Sequence, residues 1–215
     1  IIPTCMGRDV IGECLNSLRA QTYRNFEVIV VDNGSRDGTM DLIARQFPET
    51  RVVRAPVNTG VAKAFNDGIR MACGTRIVIL NDDVRAESNW LHELNKVLDQ
   101  HADIGFCASL SLQANDITQV DTAGDSLVVG AAYKRGNGRN RKDHETEEEV
   151  FSASCCGAIY RKSVLDQIGL FDESFCTNME DVDLGFRAQL AGYRCLYAPR
   201  AIIYHRGNYT KTRIG

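Results

Sequence analysis

The sequence predicts an α/β fold: a mostly parallel central sheet with helices on both faces. Three observations lead there. Short β-branched runs recur through the first half, at Ile1-Ile2, 26–31 (FEVIVV), 51–55 (RVVRA), 76–80 (RIVIL) and 104–109 (IGFCAS). Segments with apolar residues at helical spacing lie between them. No repeat and no linker-like stretch interrupts the 215 residues, so one domain is expected, with residues 1–110 and 111–215 as its two halves.

Ile1-Ile2-Pro3 reads as the end of a strand, which implies residues upstream of it. In 9–22, Val10, Ile11, Cys14, Leu15 and Leu18 mark one helical face. A shorter helix is expected over 38–47 and another over 60–73. In 88–100, Trp90, Leu91, Leu94, Val97 and Leu98 form a stripe, with Ser88 as its N-cap. Residues 113–149 are polar and glycine-dotted, with KRGNGRNRKDHETEEE at 134–149, and read as a solvated loop. An apolar strand at 150–160, a helix at 161–168, a helix at about 180–191 and two short strands at 194–198 and 201–205 complete the chain.

Apolar residues make up 44% and charged residues 25%, with a net charge of −3. These are values of an ordinary globular protein, and the missing basic excess argues against a nucleic-acid partner. No apolar run approaches the roughly 18 residues of a transmembrane helix; no secretory signal heads the chain, an absence that proves little where upstream residues are expected, and the location expected is cytoplasmic. None of the eight cysteines has C-x-x-C spacing, so free buried thiols in a reducing compartment are expected.

In an open parallel sheet, ligands bind beyond the carboxyl ends of the strands. Those ends deliver Pro3-Thr4, Asp32-Asn33-Gly34-Ser35 and Asn81-Asp82-Asp83 to one rim. Asp32 fits either a turn cap or an acceptor for a nucleotide ring N–H or ribose hydroxyl. Neither G-x-G-x-x-G nor a Walker A loop is present. The neighbours Asp82 and Asp83 repel each other unless a cation lies between them, and carboxylates suit Mg²⁺ or Mn²⁺. A helix-capping turn before AESNW explains them equally well.

A second acidic cluster, NMEDVDLGFRAQLAGYR, places Glu180, Asp181 and Asp183 at a helix start, where the macrodipole favours negative charge. With Leu184, Ala188 and Ala191 turned to the core, Asp181 can point at the rim as a general base. His205 ends the run AIIYH and is either a structural histidine or a metal ligand. Lys63 and Arg54 fit phosphate contacts or plain surface charge. Arg187 can pair with Asp183 one turn back, and Trp90 and Phe186 read as packing residues.

In this order, IIPT, SLRAQTYRNFEVIVVDNGSRDGT, NTGVAKAFNDGI, VILNDDV, CCGAIYRKSVLDQIGLFDESF, MEDVDLGFRAQLAGYR and YHRG resemble glycosyltransferase family 2, whose members have the GT-A fold. The likeness spans nearly the whole chain, least at 111–149, and GLFDESF with EDVDLGFRAQLAGYR resembles the rhamnosyltransferase branch. It implies a nucleotide-diphosphate-sugar donor, UDP- or dTDP-linked, a divalent cation, Mn²⁺ or Mg²⁺, and transfer with inversion to an acceptor hydroxyl.

The resemblance puts Pro3, Thr4, Asp32 and Asn33 at the base and ribose, and Gly60 and Asn66 in the donor-binding helix-loop segment. Asn81 and Asp82 face the donor. Asp83 and His205 take the metal, and Asp181 is the base. Saccharide or lipid-linked acceptors, surface polysaccharide or glycolipid synthesis and peripheral contact with the inner membrane face follow, as does a C-terminal continuation beyond Gly215. Cys155-Cys156 read as core packing or as wall residues near the acceptor.

Two departures stand out: Asn81 replaces the first acid of the D-x-D, and Phe65 replaces a common arginine. Asn81 keeps open an inactive nucleotide-sugar-binding module. A nucleotidyltransferase would need a glycine- and lysine-rich loop, where PTCMGRDVIGE offers only Gly7 and Arg8.

Overall fold

A computed structural model describes residues 1–128, 130–175 and 178–207. The first half alternates strand and helix: β1 (Ile2–Thr4), α1 (Ile11–Arg19), β2 (Ile29–Asn33), α2 (Thr39–Gln46), β3 (Arg51–Ala55), α3 (Val61–Met71), β4 (Arg76–Leu80), β5 (Val84–Ala86), α4 (Trp90–Gln100) and β6 (Ile104–Gln113). The second half is strand-rich: β7 (Asp116–Thr122), β8 (Asp125–Val128), β9 (Ala131–Lys134), a 3₁₀ turn (Arg141–His144), β10 (Glu148–Val150), β11 (Gly157–Arg161), α5 (Lys162–Ile168), α6 (Glu180–Leu190) and β12 (Arg194–His205).

Strands β1, β2 and β3 run parallel. Ile1 joins them to the second ladder: its amino group donates to the Val78 carbonyl at 2.7 Å and its carbonyl accepts from Leu80 N at 3.1 Å. The spatial order is therefore β3-β2-β1-β4-β11-β6-β12-β10. Only β11 interrupts the common direction of β4, β6 and β12, pairing antiparallel with both β4 and β6.

Alternation along the strands makes two cores. Ile2, Val30 and Leu80 face Ile11, Leu15, Ile43, Trp90 and Leu94, so α1, α2 and α4 cover one side. Ile77, Ile79, Phe106 and Tyr160 face Phe65, Ile69, Leu165, Leu184 and Ala188, so α3, α5 and α6 cover the other. Runs such as RIVIL are apolar throughout because both of their faces are covered.

Residues 113–149 depart from the expected solvated loop. They form β7, the β8–β9 hairpin and the 3₁₀ turn, and β10 follows. Val120 and Ala123 are fully buried, and so is the polar Thr122 between them. Few residues of the segment are both apolar and buried, so its average polarity conceals the strands.

The apolar stretch 150–160 is likewise divided, with residues 151–156 irregular between β10 and β11. The two short strands near the end are one strand, β12, whose pairing with β6 slips between Ala198 and Ile202. Pro199 lies in that slip, where it has no ladder hydrogen bond to lose. Asn89, not Ser88, is the N-cap of α4 and makes no side-chain cap. Ala191 is exposed and Phe186 half-exposed, its ring 6.2 Å from that of Phe151, so neither belongs to the core. Cys14, Cys107, Cys155, Cys156 and Cys195 are buried free thiols, Cys5 is half-buried and Cys73 exposed. Cys176 lies outside the described residues.

Candidate active site

The carboxyl ends of β1, β2, β3, β4, β6 and β12 share one rim, and antiparallel β11 starts there. Thr4, Asp32 and Arg54 are neighbours in register across β1, β2 and β3. Asp32 is fully buried; it accepts from Ser35 N at 2.9 Å and from Arg54 Nε at 3.2 Å, while Arg54 itself is largely exposed. Pro3 lies half-buried beside them in β1.

Asn33 braces the loop that enters α3. It donates to Asn58 Oδ1 at 2.9 Å and to the Gly60 carbonyl at 3.1 Å, and accepts from Thr59 N at 2.9 Å. Gly60 has φ +88°, a backbone state that excludes most side chains. Asn66 does not reach the rim with a spare donor. Its amide nitrogen donates to the Phe171 carbonyl and to Glu173 Oε1, both at 2.9 Å, and its oxygen accepts from Phe171 N at 3.0 Å. It fastens α3 to the segment before α6.

At the end of β4 the three polar residues diverge. Asp82 Oδ2 accepts from Thr4 Oγ1 at 2.6 Å. Gly7 closes over this pair, since a Cβ there would lie 2.1 Å from Thr4 Oγ1 and 2.6 Å from Asp82 Oδ2. Asp83 turns the other way: β5 pairs with β12, His205 opposite Val84, and this brings Asp83 Oδ1 within 3.3 Å of His205 Nε2. Asn81 Nδ2 lies 3.5 Å from the same nitrogen. On the far side of the ring, His205 Nδ1 is 2.8 Å from Asp121 Oδ2. Burial alone would lower the imidazole pKa, but Asp121 and Asp83 outweigh it and raise it to about 9. Asp121 moves the opposite way, to about 2, where His205 and Lys134 overcome its burial.

Asp181 sits in the first turn of α6. Its Oδ2 accepts from Cys155 N at 3.2 Å and its Oδ1 from Val182 N at 2.9 Å. Burial raises its pKa despite those bonds. Asp125, buried on β8 and bonded to Ser152 Oγ at 2.9 Å, is pushed up to about 7 by burial and by the Asp181 charge. Glu180 is pushed to about 7 by the same two causes and leaves Oε2 buried without a partner.

Two groups of potential ligands lie near the strand ends. Ligating atoms of Asp121, Cys156 and His205 lie within 4.8 Å of one another, as do those of Cys155, Glu180 and Asp181. Cys155 and Cys156 are adjacent in the chain and buried, Cys156 in the first core and Cys155 in the second. Asp121, Asp125 and Lys134 come from the segment that reads as a loop. Asp121 and Asp125 lie in DITQVDTAGDS, whose apolar residues Ile117, Val120 and Ala123 recur every third position and give no strand signal. Arg187 pairs with Asp183 at 2.7 Å and Lys63 with Asp67 at 2.9 Å, so neither cation is held at the rim.

The residues fit a divalent cation. Asp83 supplies a hard oxygen, and a histidine whose Nδ1 is held by a carboxylate presents Nε2 as a ligand. Carboxylates flank the imidazole on both sides, Asp83 at 3.3 Å from Nε2 and Asp121 at 2.8 Å from Nδ1, so the ring lies in a place of negative charge. A cavity of about 430 Å³ opens beside Asp83, edged by Arg85, Tyr204 and Arg206. A larger one, about 750 Å³, lies at the amino ends of the strands around Ile1, Glu27 and Gly74. None of the acids described above lines it, so size does not locate the chemistry here.

A profile of glycosyl transferase family 2 matches residues 1–169. The N-acetylglucosaminyl-diphospho-decaprenol L-rhamnosyltransferase of Mycobacterium tuberculosis (strain CDC 1551 / Oshkosh) is 28% identical over 222 residues, covering 91% of this chain and 72% of that protein. The structure of S. aureus TarS 1-349 in complex with UDP has a TM-score of 0.70 at 22% identity, over 95% of this chain and 58% of that chain. GalNAc-T7 with UDP, GalNAc and Mn²⁺ gives 0.78 at 14% identity, over 95% of this chain and 42% of that chain. This chain thus spans little more than half of the first and less than half of the second. The likenesses identify the fold as GT-A. With the profile covering more than half of its length, the chain belongs to glycosyl transferase family 2.

Proposed function

We propose that this protein moves one sugar from a UDP- or dTDP-sugar to an acceptor hydroxyl with inversion at the anomeric carbon. The observation that supports this reading most is the presence of two acidic clusters near the strand ends: Asp83 with His205 at one, Asp181 with Glu180 at the other. The first suits a diphosphate with its cation; the second suits a hydroxyl that must lose a proton.

Thr4, Asp32 and Asn33 line the donor end, where the buried Asp32 accepts from a base or ribose in partial exchange for Arg54. Asn81 and Asp82 lie between that end and the sugar. Asp83 and His205 would hold a divalent cation, which supplies positive charge against the leaving diphosphate. Asp181 takes the proton of the acceptor hydroxyl as the oxygen attacks the face opposite the diphosphate. Its raised proton affinity suits that task, because a base works best with a pKa near the working pH. Inversion in one displacement needs no nucleophilic side chain, and the cysteine thiols at the rim are held neutral by burial.

The rhamnosyltransferase relative supports a deoxyhexose donor and a lipid-linked acceptor in cell-surface glycan synthesis. Among the described residues no helix is long and apolar enough to cross a membrane, so access to such an acceptor is proposed as contact with a membrane face. The test is a thermal-shift panel of UDP, dTDP and their sugars, with and without Mn²⁺, on the wild-type chain and on Asp83→Ala. A metal-dependent rise in midpoint, present in wild type and lost in Asp83→Ala, is expected. Identical shifts in both proteins with and without Mn²⁺ would remove the metal role.

A further inference from the structure

We propose that Asp121 is a positioning residue for the cation site: its carboxylate fixes the ring of His205 so that Nε2 is presented beside Asp83. The inference rests on the reading of Asp83 and His205 as cation ligands, and it concerns a residue on a strand that the sequence conceals. The three strands involved are neighbours. β6 lies in the middle, with β7 antiparallel on one edge and β12 parallel on the other. His205 pairs with Gln113 at the end of β12, and Ser111 pairs with Thr122 at the end of β7. The β6–β7 pairing shifts register on both sides of Leu112, and there Asp121 reaches across β6 to the imidazole.

The carboxylate is held on every side. Oδ2 lies 2.8 Å from His205 Nδ1 and accepts from Ser111 Oγ at 3.2 Å, and Oδ1 accepts from Lys134 Nζ at 2.8 Å. The Asp121 side chain is 13% exposed and that of His205 10%. With Nδ1 committed to Asp121, Nε2 is the ring nitrogen left to face Asp83 at 3.3 Å. Asp121 is also close enough to be considered as a ligand itself. Lys134 argues against that, because its ammonium group occupies Oδ1 and would repel a divalent ion there. The arrangement is the one in which a carboxylate behind a ligating histidine fixes its tautomer and ring orientation, and loss of such a partner costs about 10–100-fold in metal affinity.

The test measures Mn²⁺ binding to the full chain by electron paramagnetic resonance, with Mn²⁺ alone and with Mn²⁺ plus UDP. Spin-echo modulation from a coordinated imidazole nitrogen serves as a second readout. Four proteins are compared at one temperature well below each of their thermal midpoints: wild type, His205→Ala, Asp121→Ala and the near-isosteric Asp121→Asn. Wild type should show nitrogen modulation and His205→Ala none, with weakened binding. Asp121→Ala should bind Mn²⁺ about 10–100-fold more weakly and lose modulation amplitude, and Asp121→Asn should fall between it and wild type. A structural role alone would lower the midpoint and leave the modulation of the folded fraction unchanged. If wild type shows no nitrogen coupling, or His205→Ala binds as wild type does, the cation reading is overturned and this inference with it. If His205→Ala behaves as expected while both Asp121 variants keep wild-type affinity and modulation, the cation reading stands and the role of Asp121 is overturned.

Discussion

Gly185 of α6 lies so close to Ser152 that a Cβ built at position 185 would fall 2.2 Å from the Ser152 Cβ. The same Ser152 donates from Oγ to Asp125 Oδ2 at 2.9 Å, and its carbonyl accepts from Asp125 N at 2.9 Å. Asp181, one turn before Gly185, is thereby brought near Asp125; burial raises the proton affinity of both, and the Asp181 charge adds to it at Asp125. Gly185→Ala should therefore lift α6 from the sheet. Overpacking of this kind costs about 1–3 kcal/mol, and each kcal/mol lowers the melting midpoint by about 2–4 °C at this size. Calorimetry should show that loss, and transfer activity should fall with Asp181 displaced. An unchanged midpoint would mean that the helix is free to shift at no cost.

The pair Asp125–Asp181 also makes stability depend on pH. An aspartate in the unfolded chain loses its proton near pH 3.9, whereas Asp125 in the folded protein holds it to about 7. Between those values the folded state binds more protons, so its stability falls as pH rises through the window. Asp125→Asn, which cannot ionise, should flatten that decline. Denaturant titrations at pH 4.5, 6 and 7.5 would read it, and equal slopes for the two proteins would show that Asp125 is not the group responsible.

Asp181→Asn keeps an oxygen for the Cys155 amide but cannot take a proton. Sugar transfer should drop by about 10²–10⁴, the usual worth of a positioned base. Calorimetric affinity for UDP or dTDP should stay within about twofold, because the proton-transfer step draws on no ground-state nucleotide contact. Retained turnover would exclude Asp181 as the base.

Asn66→Ala separates a structural role from a donor contact. The substitution removes the bonds that tie α3 to Phe171 and Glu173 and leaves the Phe171 amide buried without its acceptor. Such a group costs about 1–3 kcal/mol, so a lower melting midpoint is expected, with nucleotide affinity of the folded protein unaltered. A loss of nucleotide affinity at an unchanged midpoint would restore Asn66 to the donor site.

Much of this architecture is legible from local pattern. β3 and β4 occur over the residues expected: β4, covered on both faces, carries an undiluted apolar signal, and β3, an exposed edge strand, is marked by its β-branched pair Val52-Val53. The helix stripes of 9–22 and 88–100 read equally well, since Leu15, Leu18, Trp90 and Leu94 are all buried. The polar ends of β1, β2 and β4 follow directly, as a parallel strand entering a turn has one exit. The segment 113–149 is different. Each of its strands has a polar face towards the rim or solvent, so its composition resembles a loop even though Val120, Ala123 and Val150 pack into the core.

What the sequence by itself determined, then, is the order of strands and helices in the first half, the rim on which Asp32, Asp82 and Asp83 emerge, and the helix that bears Asp181. What only the tertiary structure decided is who meets whom. His205 and Asp121 stand 84 positions apart, and they touch because β7 and β12 both pair with β6 in a particular register. Asp125 meets Asp181 because a glycine admits α6 to Ser152. Hydrophobic periodicity is a short-range property, legible in a few neighbouring residues. Register and strand order are settled by the burial of whole faces at once, so the electrostatic partners they create have no local signature.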